Sequence, residues 1–346
     1  MSPSHKPPVV IVGAGILGLW QALLLARAGF AVTVYETSKT PFSDTASRFA
    51  GAMLAPDCEG EAAPDIVRTL GHEGIKIWRD VYSGVVNAGS LVVAAPRDIG
   101  ELQRYQNQTH GSERVDAERL GALEPDLGGR FSTGLFFADE AHVATPDAMR
   151  FLLQAATEAG AEFRFGCEVP SHQASATETD ATGSQVIVNC RGLAARHDLA
   201  DLRGVRGERI VIKSGDVTLS RPIRLLHPRH PLYVVPWGDG EYMIGATVIE
   251  SEDDGPATVR SALELLGLAY SLCPAFGEAE ILDIGAGVRP AYPNNVPGIQ
   301  IRDGGQKIFV NGAFRHGFLL APVLAEAVLG LLEAGESNHP LIQRTI

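Results

Sequence analysis

At 346 residues the chain is long enough for about two domains, and its 45% hydrophobic content can fill a sizeable core. Forty-one acidic against twenty-nine basic residues leave a net charge of -12, which opposes binding to a phosphate backbone or an anionic membrane surface and excludes nucleic acid as a partner. The four cysteines, Cys58, Cys167, Cys190 and Cys273, are scattered without a CxxC, so neither a zinc site nor a disulfide framework is indicated and a reducing, cytoplasmic compartment is expected.

The chain begins with MSPSHKPP, which is short, polar and proline-rich and lacks the apolar segment and cleavage site of a secretory signal. From Val9 it reads VVIVGAGILGLWQALLLARAGFAVTVYE: an apolar run, a glycine-rich turn, a helix-length apolar stretch stopped by Gly29, and a second strand ending in Glu36. This is a βαβ unit. Gly13, Gly15 and Gly18 form GxGxxG, whose glycines serve a tight turn, close backbone approach to a pyrophosphate, and helix-strand packing. The expected dinucleotide loop is therefore Gly13, Ala14, Gly15, Ile16, Leu17 and Gly18, with the helix N-terminus turned to the phosphates. Glu36 stands where an acid accepts hydrogen bonds from ribose hydroxyls and repels a 2′-phosphate, which disfavours NADP. The βαβ unit alone does not decide between NAD and FAD.

Small residues crowd SRFAGAMLAPDCEGE, Ser47 to Glu61, which reads either as a helix start or as backbone laid against something flat. A helix is expected over 62–85, a strand at Ser90 to Ala95, helical pieces over Leu102 to Leu123, and a helix from Pro146 to Ala159. A strand pair follows, AEFRFGCEV and VIVNCRGLAA, joined by the polar loop HQASATETDATGSQ. His227 and His230 form an HxxH in a proline-flanked loop, a pattern that suits surface better than metal, and no metal is expected. PLYVVPWGDGEYMIGATV reads as a hairpin around Gly238-Asp239-Gly240, a helix is expected from about Ala257 to Leu272, and ILDIGAGVRPAYPNNVPGI reads as a strand, a glycine-rich approach and a proline-rich loop. Finally KIFVNGAFRHGFLLAPVLAE reads as strand, glycine turn and helix, a second β-turn-α unit for the same parallel sheet as the first. The apolar runs around Leu23 to Ala28 and Phe318 to Leu332 read as too short, or too interrupted by Pro322 and Glu326, to span a bilayer.

VVIVGAGILGL with Glu36, AGAMLAP, LEPDL, LYVVP followed by MIGAT, GVRPAYPNNVPGI and RHGFLLAP together resemble the D-amino acid oxidase family of FAD enzymes, most of all its glycine oxidase branch from thiamine biosynthesis. The resemblance runs over nearly the whole chain. It implies FAD held by the glycine loop and Glu36, with further contacts from Ser47, Gly51, Ala52, Met53, Val169, Gly312, Arg315, His316, Gly317, Phe318 and Leu319, and a flavin ring between two domains. It also implies that Arg289 of GVRP binds the substrate carboxylate, that Arg315 is a second active-site arginine, and that Tyr233 of LYVVP belongs to the same pocket. From the residues alone Arg289 reads equally as a surface-loop arginine, and Tyr233 as a strand aromatic in the core. Ala313 and Phe314 stand where many relatives carry histidine and tyrosine, and Trp237 and Val248 also depart from the pattern.

The fold expected is α/β: a discontinuous Rossmann-like FAD-binding domain with a parallel sheet (1–88, 140–208 and 282–346) and a β-rich α+β substrate domain (89–139 and 209–281). The expected activity is oxidative deamination of glycine or a similar small amine (sarcosine, a short D-amino acid) to the imine, with molecular oxygen reduced to hydrogen peroxide. No acid or base is needed among the catalytic residues, since hydride moves to the cofactor, and a planar arginine fork is the natural handle for a carboxylate. The alternatives are a flavin dehydrogenase passing electrons to a quinone or carrier, an NAD-dependent dehydrogenase, and a non-catalytic FAD-binding module. The apolar helices leave room for a homo-oligomer.

Overall fold

The computed structural model describes residues 6–169, 185–227, 232–335 and 338–344. The expected polar loop after Val169, the histidine at 230 and the start of MSPSHKPP lie outside the described residues. In chain order the elements are β1 (Val9–Val12), α1 (Ile16–Arg27), β2 (Val32–Glu36), β3 (Met53–Leu54), α2 (Asp65–Val81), β4 (Ser90–Ala94), α3 (Ile99–Gln108), β5 (Ser112–Asp116), α4 (Ala117–Leu123), β6 (Thr133–Phe137), β7 (Ala141–His142) and α5 (Thr145–Glu158). There follow β8 (Glu162–Phe165), β9 (Val186–Asn189), β10 (Arg203–Lys213), β11 (Ile223–Leu226), β12 (Leu232–Gly238), β13 (Glu241–Gly245), α6 (Val259–Leu272), β14 (Glu280–Ala291), β15 (Gly298–Arg302), β16 (Lys307–Asn311), α7 (Gly317–Ala334) and β17 (Ile342–Arg344).

These elements fall into two compact units, one of Met1–Arg48, Pro146–Gly204 and Arg289–Ile346, the other of Phe49–Thr145 and Val205–Val288. Both are discontinuous, but the boundaries differ from those expected. Residues 49–88 and 140–145 group with the second unit rather than with the nucleotide end, and the later crossings fall at 204/205 and 288/289. The early boundary moves because the chain after Phe49 pairs locally: β3 pairs with β7, and Val143 N–H donates to the Ala52 carbonyl at 3.1 Å.

The first unit carries a seven-stranded sheet in the order β17-β15-β16-β9-β1-β2-β8. β1 is parallel to both β2 and β9, and β16 is parallel to β9, so the final β-turn-α unit joins the sheet of the first. β15 enters antiparallel to β16, from a segment expected to be a proline-rich loop. β8 and β9, expected as a strand pair, are not neighbours: β8 lines up on β2 and β9 on β1. β9 is buried at all four residues and so carries no alternation to identify its partner, while β8 alternates over only four residues. α1 is buried along nearly its whole length and packs on α7. α7 is 18 residues long with mean hydropathy 1.8, long and apolar enough on those grounds to cross a membrane, which corrects the expectation that no run reached that length. A helix packed within a fold on most of its sides is apolar for the same reason, and 61% of this one is buried.

The second unit holds an eight-stranded sheet, β14-β10-β13-β12-β11-β4-β6-β5. Leu91, Val93, Ile210, Ile212, Leu225 and Ile244 from its strands pack with Leu265 and Leu272 of α6 into one core. The expected hairpin is β12-β13, and its turn places Gly238, Asp239 and Gly240 at φ of 91°, 51° and 75°. Such left-handed angles select Gly and Asp. The helical pieces expected over Leu102 to Leu123 are interrupted by β5, whose SERVD alternates only weakly.

Candidate active site

At the nucleotide end, Gly13 has φ +100°, and a Cβ there would lie 2.7 Å from the Cys190 carbonyl oxygen. A Cβ on Gly18 would fall 1.9 Å from the Gly13 carbonyl oxygen, so α1 can approach its own turn only with glycine at this position. A Cβ on Gly15 would meet Thr45 Oγ1 at 3.0 Å and Ser47 Oγ at 3.3 Å, which makes Thr45 a wall of this turn that sequence did not single out. Ser47 Oγ accepts from Ile16 N–H at 3.0 Å, and Glu36 Oε2 accepts from Ala14 N–H at 2.8 Å. Glu36 is thus fixed at the mouth of the glycine turn, where an acid meets a ribose. Leu17 is buried in the first turn of α1, and Val169 follows β8, whose Phe165 is paired with Glu36.

Two helices begin side by side here. A Cβ on Gly317 would lie 3.4 Å from Ile16 Cγ2, so the N-terminus of α7 abuts that of α1. Neither helix has an acidic residue in its first turn or a side-chain cap on its N-cap residue, Gly15 or His316. Two positively polarised helix ends beside a glycine turn and a ribose-type carboxylate fit an anionic dinucleotide.

The turn before α7 is held by its neighbours. Asn311 is fully buried, accepting from Gly312 N–H at 2.8 Å and donating to the Gly192 carbonyl at 2.9 Å. Gly312 sits at φ +74°, and a Cβ there would come within 2.1 Å of Tyr292 Cδ2, so the Tyr292 ring accounts for this glycine. Ala313 bridges to Ala291, and Phe314 N–H donates to the Pro290 carbonyl at 2.9 Å. The segments carrying Arg289 and Arg315 therefore run side by side, and both arginines are half-buried. His316 is buried, its carbonyl accepts from Leu320 N–H at 2.9 Å, and its ring stands edge-on to Phe314. Phe318 and Leu319 are buried in the first turn of α7.

In the second unit, Thr145 Oγ1 donates to the Ala50 carbonyl at 2.7 Å, Ala52 takes φ +55°, and a Cβ on Gly51 would meet Met243 Cε. The segment expected as either a helix start or flat backbone begins as a short 3-10 helix, Ala46–Phe49, and contains only the two-residue strand Met53–Leu54 before a turn. Tyr233, Val235 and Met243 form a buried cluster with Met53, Trp237 and Ala246 packed against it. The structure thus brings Tyr233 together with Met53 and Gly51.

Beside Tyr233 lies a polar group that sequence reasoning missed. Arg224 stands directly opposite Tyr233 in the β11-β12 ladder and is 5% exposed. Its guanidinium carbon lies 5.8 Å from the Tyr233 ring centre and 5.0 Å from that of Tyr105, and Nη2 donates to Glu61 Oε2 at 3.0 Å. With Glu61, Glu101, Arg104, Tyr105 and His227 it also lines a cavity of about 120 Å³. The available signal was one arginine inside PIRLL, an apolar run whose strand is buried throughout. Nearby, Glu140 accepts from Asp57 N–H at 3.0 Å and Cys58 N–H at 2.6 Å, and burial pushes its carboxyl up to about 8. Burial also lowers His142, which is paired with Met53, to about 4. All four cysteines are free thiols.

The family profile described as FAD dependent oxidoreductase (DAO) matches residues 8–331. A Rhizobium etli protein that carries the name thiamine biosynthesis oxidoreductase ThiO is 46% identical over 92% of this chain and 94% of its own length. Glycine oxidase from Geobacillus kaustophilus is 26% identical over 98% of this chain and 96% of its own. The crystal structure of glycine oxidase from the same organism shares the fold with a TM-score of 0.81 at 22% identity, covering 99% of this chain and 100% of that one. The paired helix ends, the glycine turn and Glu36 agree with the profile that spans them, and the chain belongs to the DAO family of FAD-dependent oxidoreductases.

Proposed function

We propose that this enzyme oxidises glycine, or a similarly small amine such as sarcosine or a short D-amino acid, and serves thiamine biosynthesis. The reaction takes R–CH2–NH2 and O2 to R–CH=NH and H2O2, the two hydrogens lost by the amine appearing in the peroxide. The observation that carries this proposal is the 46% identity, over nearly the full length of both chains, to the Rhizobium protein named for that pathway. Bound FAD supplies the two-electron oxidation. The residues proposed to hold it are Gly13 to Gly18, Glu36, Ser47, Gly51 to Met53, Val169, Gly312 and Arg315 to Leu319.

The protein's own task is to hold a substrate with few handles. Arg289 takes the carboxylate as a planar fork giving two parallel charge-assisted bonds. Arg315, on the neighbouring segment, adds a second positive charge, and Tyr233 is proposed as a further substrate-binding residue. Orientation in such a site is worth several kcal/mol, because the reacting C–H must be presented along one direction. We also propose a cytoplasmic homo-oligomer. Val259, Leu263 and Tyr270 of α6, at 77%, 68% and 56% exposure, give the second unit an apolar face suited to a second copy.

An anaerobic screen tests the activity. Glycine, sarcosine and short D-amino acids are mixed with the purified holoenzyme and the flavin absorbance is followed. Bleaching by glycine supports the proposal, and bleaching that air does not reverse favours a dehydrogenase using another acceptor.

A further inference from the structure

Arg224 is in the wrong place for an ordinary surface arginine. It projects from β11 among Ile223, Leu225 and Leu226, all buried, and its own exposure is 5%. Burying a guanidinium is costly unless it is paired and solvated by protein groups. One ion pair, to Glu61, is present, and that carboxylate is itself 30% exposed. Two rings also face it, Tyr105 on one element and Tyr233 on another, both within the range at which a ring face attracts a cation. The directly opposed register of Arg224 and Tyr233 in an antiparallel pair places both side chains on one face of the sheet.

We propose that Arg224 is a positioning residue for Tyr233, fixing its ring and strengthening its phenol as a hydrogen-bond donor to the substrate carboxylate. This rests on the assignment of Tyr233 to the substrate pocket. The physical basis has two parts. A guanidinium against a ring removes freedom from a side chain that has only two torsions, so the phenol keeps one direction. A positive charge near the ring also withdraws electron density from it, and an O–H on a poorer ring donates better to an anion. Glu61 completes the device by setting the guanidinium from its outer end, and Tyr105 braces it from beside. Tyr105 is in turn held by its hydroxyl, which donates to the Cys58 carbonyl. The charged and titratable groups around Arg224 are Glu61, Glu59, Tyr105, Cys58 and Tyr233, and Glu101, Arg104 and His227 line the same cavity.

The test is a double-mutant cycle on the holoenzyme, read by the dissociation constant of acetate from flavin absorbance and by KM and kcat for glycine. Tyr233→Phe, Arg224→Gln and the double variant are compared. Arg224→Gln is expected to weaken acetate binding and raise KM by about 2- to 30-fold, with a smaller change in kcat. In the Tyr233→Phe background the same substitution is expected to change acetate binding by less than about twofold, because there is no phenol left to position. Arg224→Lys, which keeps the cation, is expected to recover most of the loss. Glu61→Gln, a milder change at a partly exposed partner, should shift acetate binding in the same direction and, like Arg224→Gln, should have no effect once Tyr233 is Phe. If Arg224→Gln does not fold, Glu61→Gln carries the same cycle. The inference is overturned if Tyr233→Phe weakens acetate binding while the Arg224 and Glu61 variants do not, or if the effects multiply independently. If Tyr233→Phe itself leaves acetate binding unchanged, the assignment of Tyr233 fails first and the role of Arg224 falls with it.

Discussion

Arg289 and Arg315 present the sharpest question at the scale of single residues. Their segments lie side by side through the Ala291-Ala313 bridge and the Phe314-Pro290 hydrogen bond. We assign the carboxylate fork to Arg289 and a supporting charge to Arg315. Arg289→Ala is then expected to raise KM for glycine, and the acetate dissociation constant, by roughly 30- to 4,000-fold, the usual consequence of removing one partner of a buried charge pair. Arg315→Ala is expected to cost less, on the order of 10-fold, as befits one added charge without a fork. Reversal of the two magnitudes in a steady-state comparison would exchange their roles. Arg289 and Arg315 stand in motifs that the resemblance brings to notice. Arg224 does not, because a lone arginine in an apolar run says nothing of what it faces until strand register sets it against Tyr233.

Among the elements, the turn from β1 into α1 depends most on a single side chain. Gly18 cannot accept even a methyl group without a 1.9 Å approach to the Gly13 carbonyl. Gly18→Ala is expected to destabilise the fold by about 1–3 kcal/mol, as overpacking does, and to lower the FAD content of the purified protein, measured by thermal unfolding and by the ratio of flavin to protein absorbance. The strand-and-loop segment from Met53 to Glu61 makes a second element-scale prediction. Folded Glu140 titrates at about 8 against an ordinary 4.5, so the folded chain keeps a proton that the unfolded chain releases. Its contribution to stability is full below 4.5 and is lost as pH rises towards 8, with a slope of at most about 1.4 kcal/mol per pH unit. His142 acts oppositely: its value is lowered from 6.5 to about 4, so stability is full above 6.5 and declines as pH falls. Glu140→Gln should therefore flatten the alkaline decline in Tm while leaving the acidic one, in unfolding curves taken from about pH 4 to 9. The βαβ unit, the GDG hairpin and the last helix were legible because glycine spacing and apolar period are local signals. The order of β8 and β9, the strand β15 and the pairing of β3 with β7 were not, since partner choice among short strands is decided by packing far along the chain.

For the whole molecule, two discontinuous units arise from one chain that crosses between them four times. The sequence divides less visibly than the structure does, because the segment after Phe49 is rich in small residues and has no linker composition to announce a change of unit. Its β3-β7 pairing assigns it instead. The chemistry proposed needs FAD, an amine donor and oxygen, and one measurement addresses all three. The purified holoenzyme is mixed anaerobically with glycine while the flavin absorbance is recorded, and air is then admitted with peroxide assayed. The account predicts loss of the flavin absorbance with glycine, its return on exposure to air, and one peroxide formed for each flavin reoxidised. A fully loaded enzyme whose absorbance is unchanged by glycine, sarcosine and short D-amino acids would contradict it.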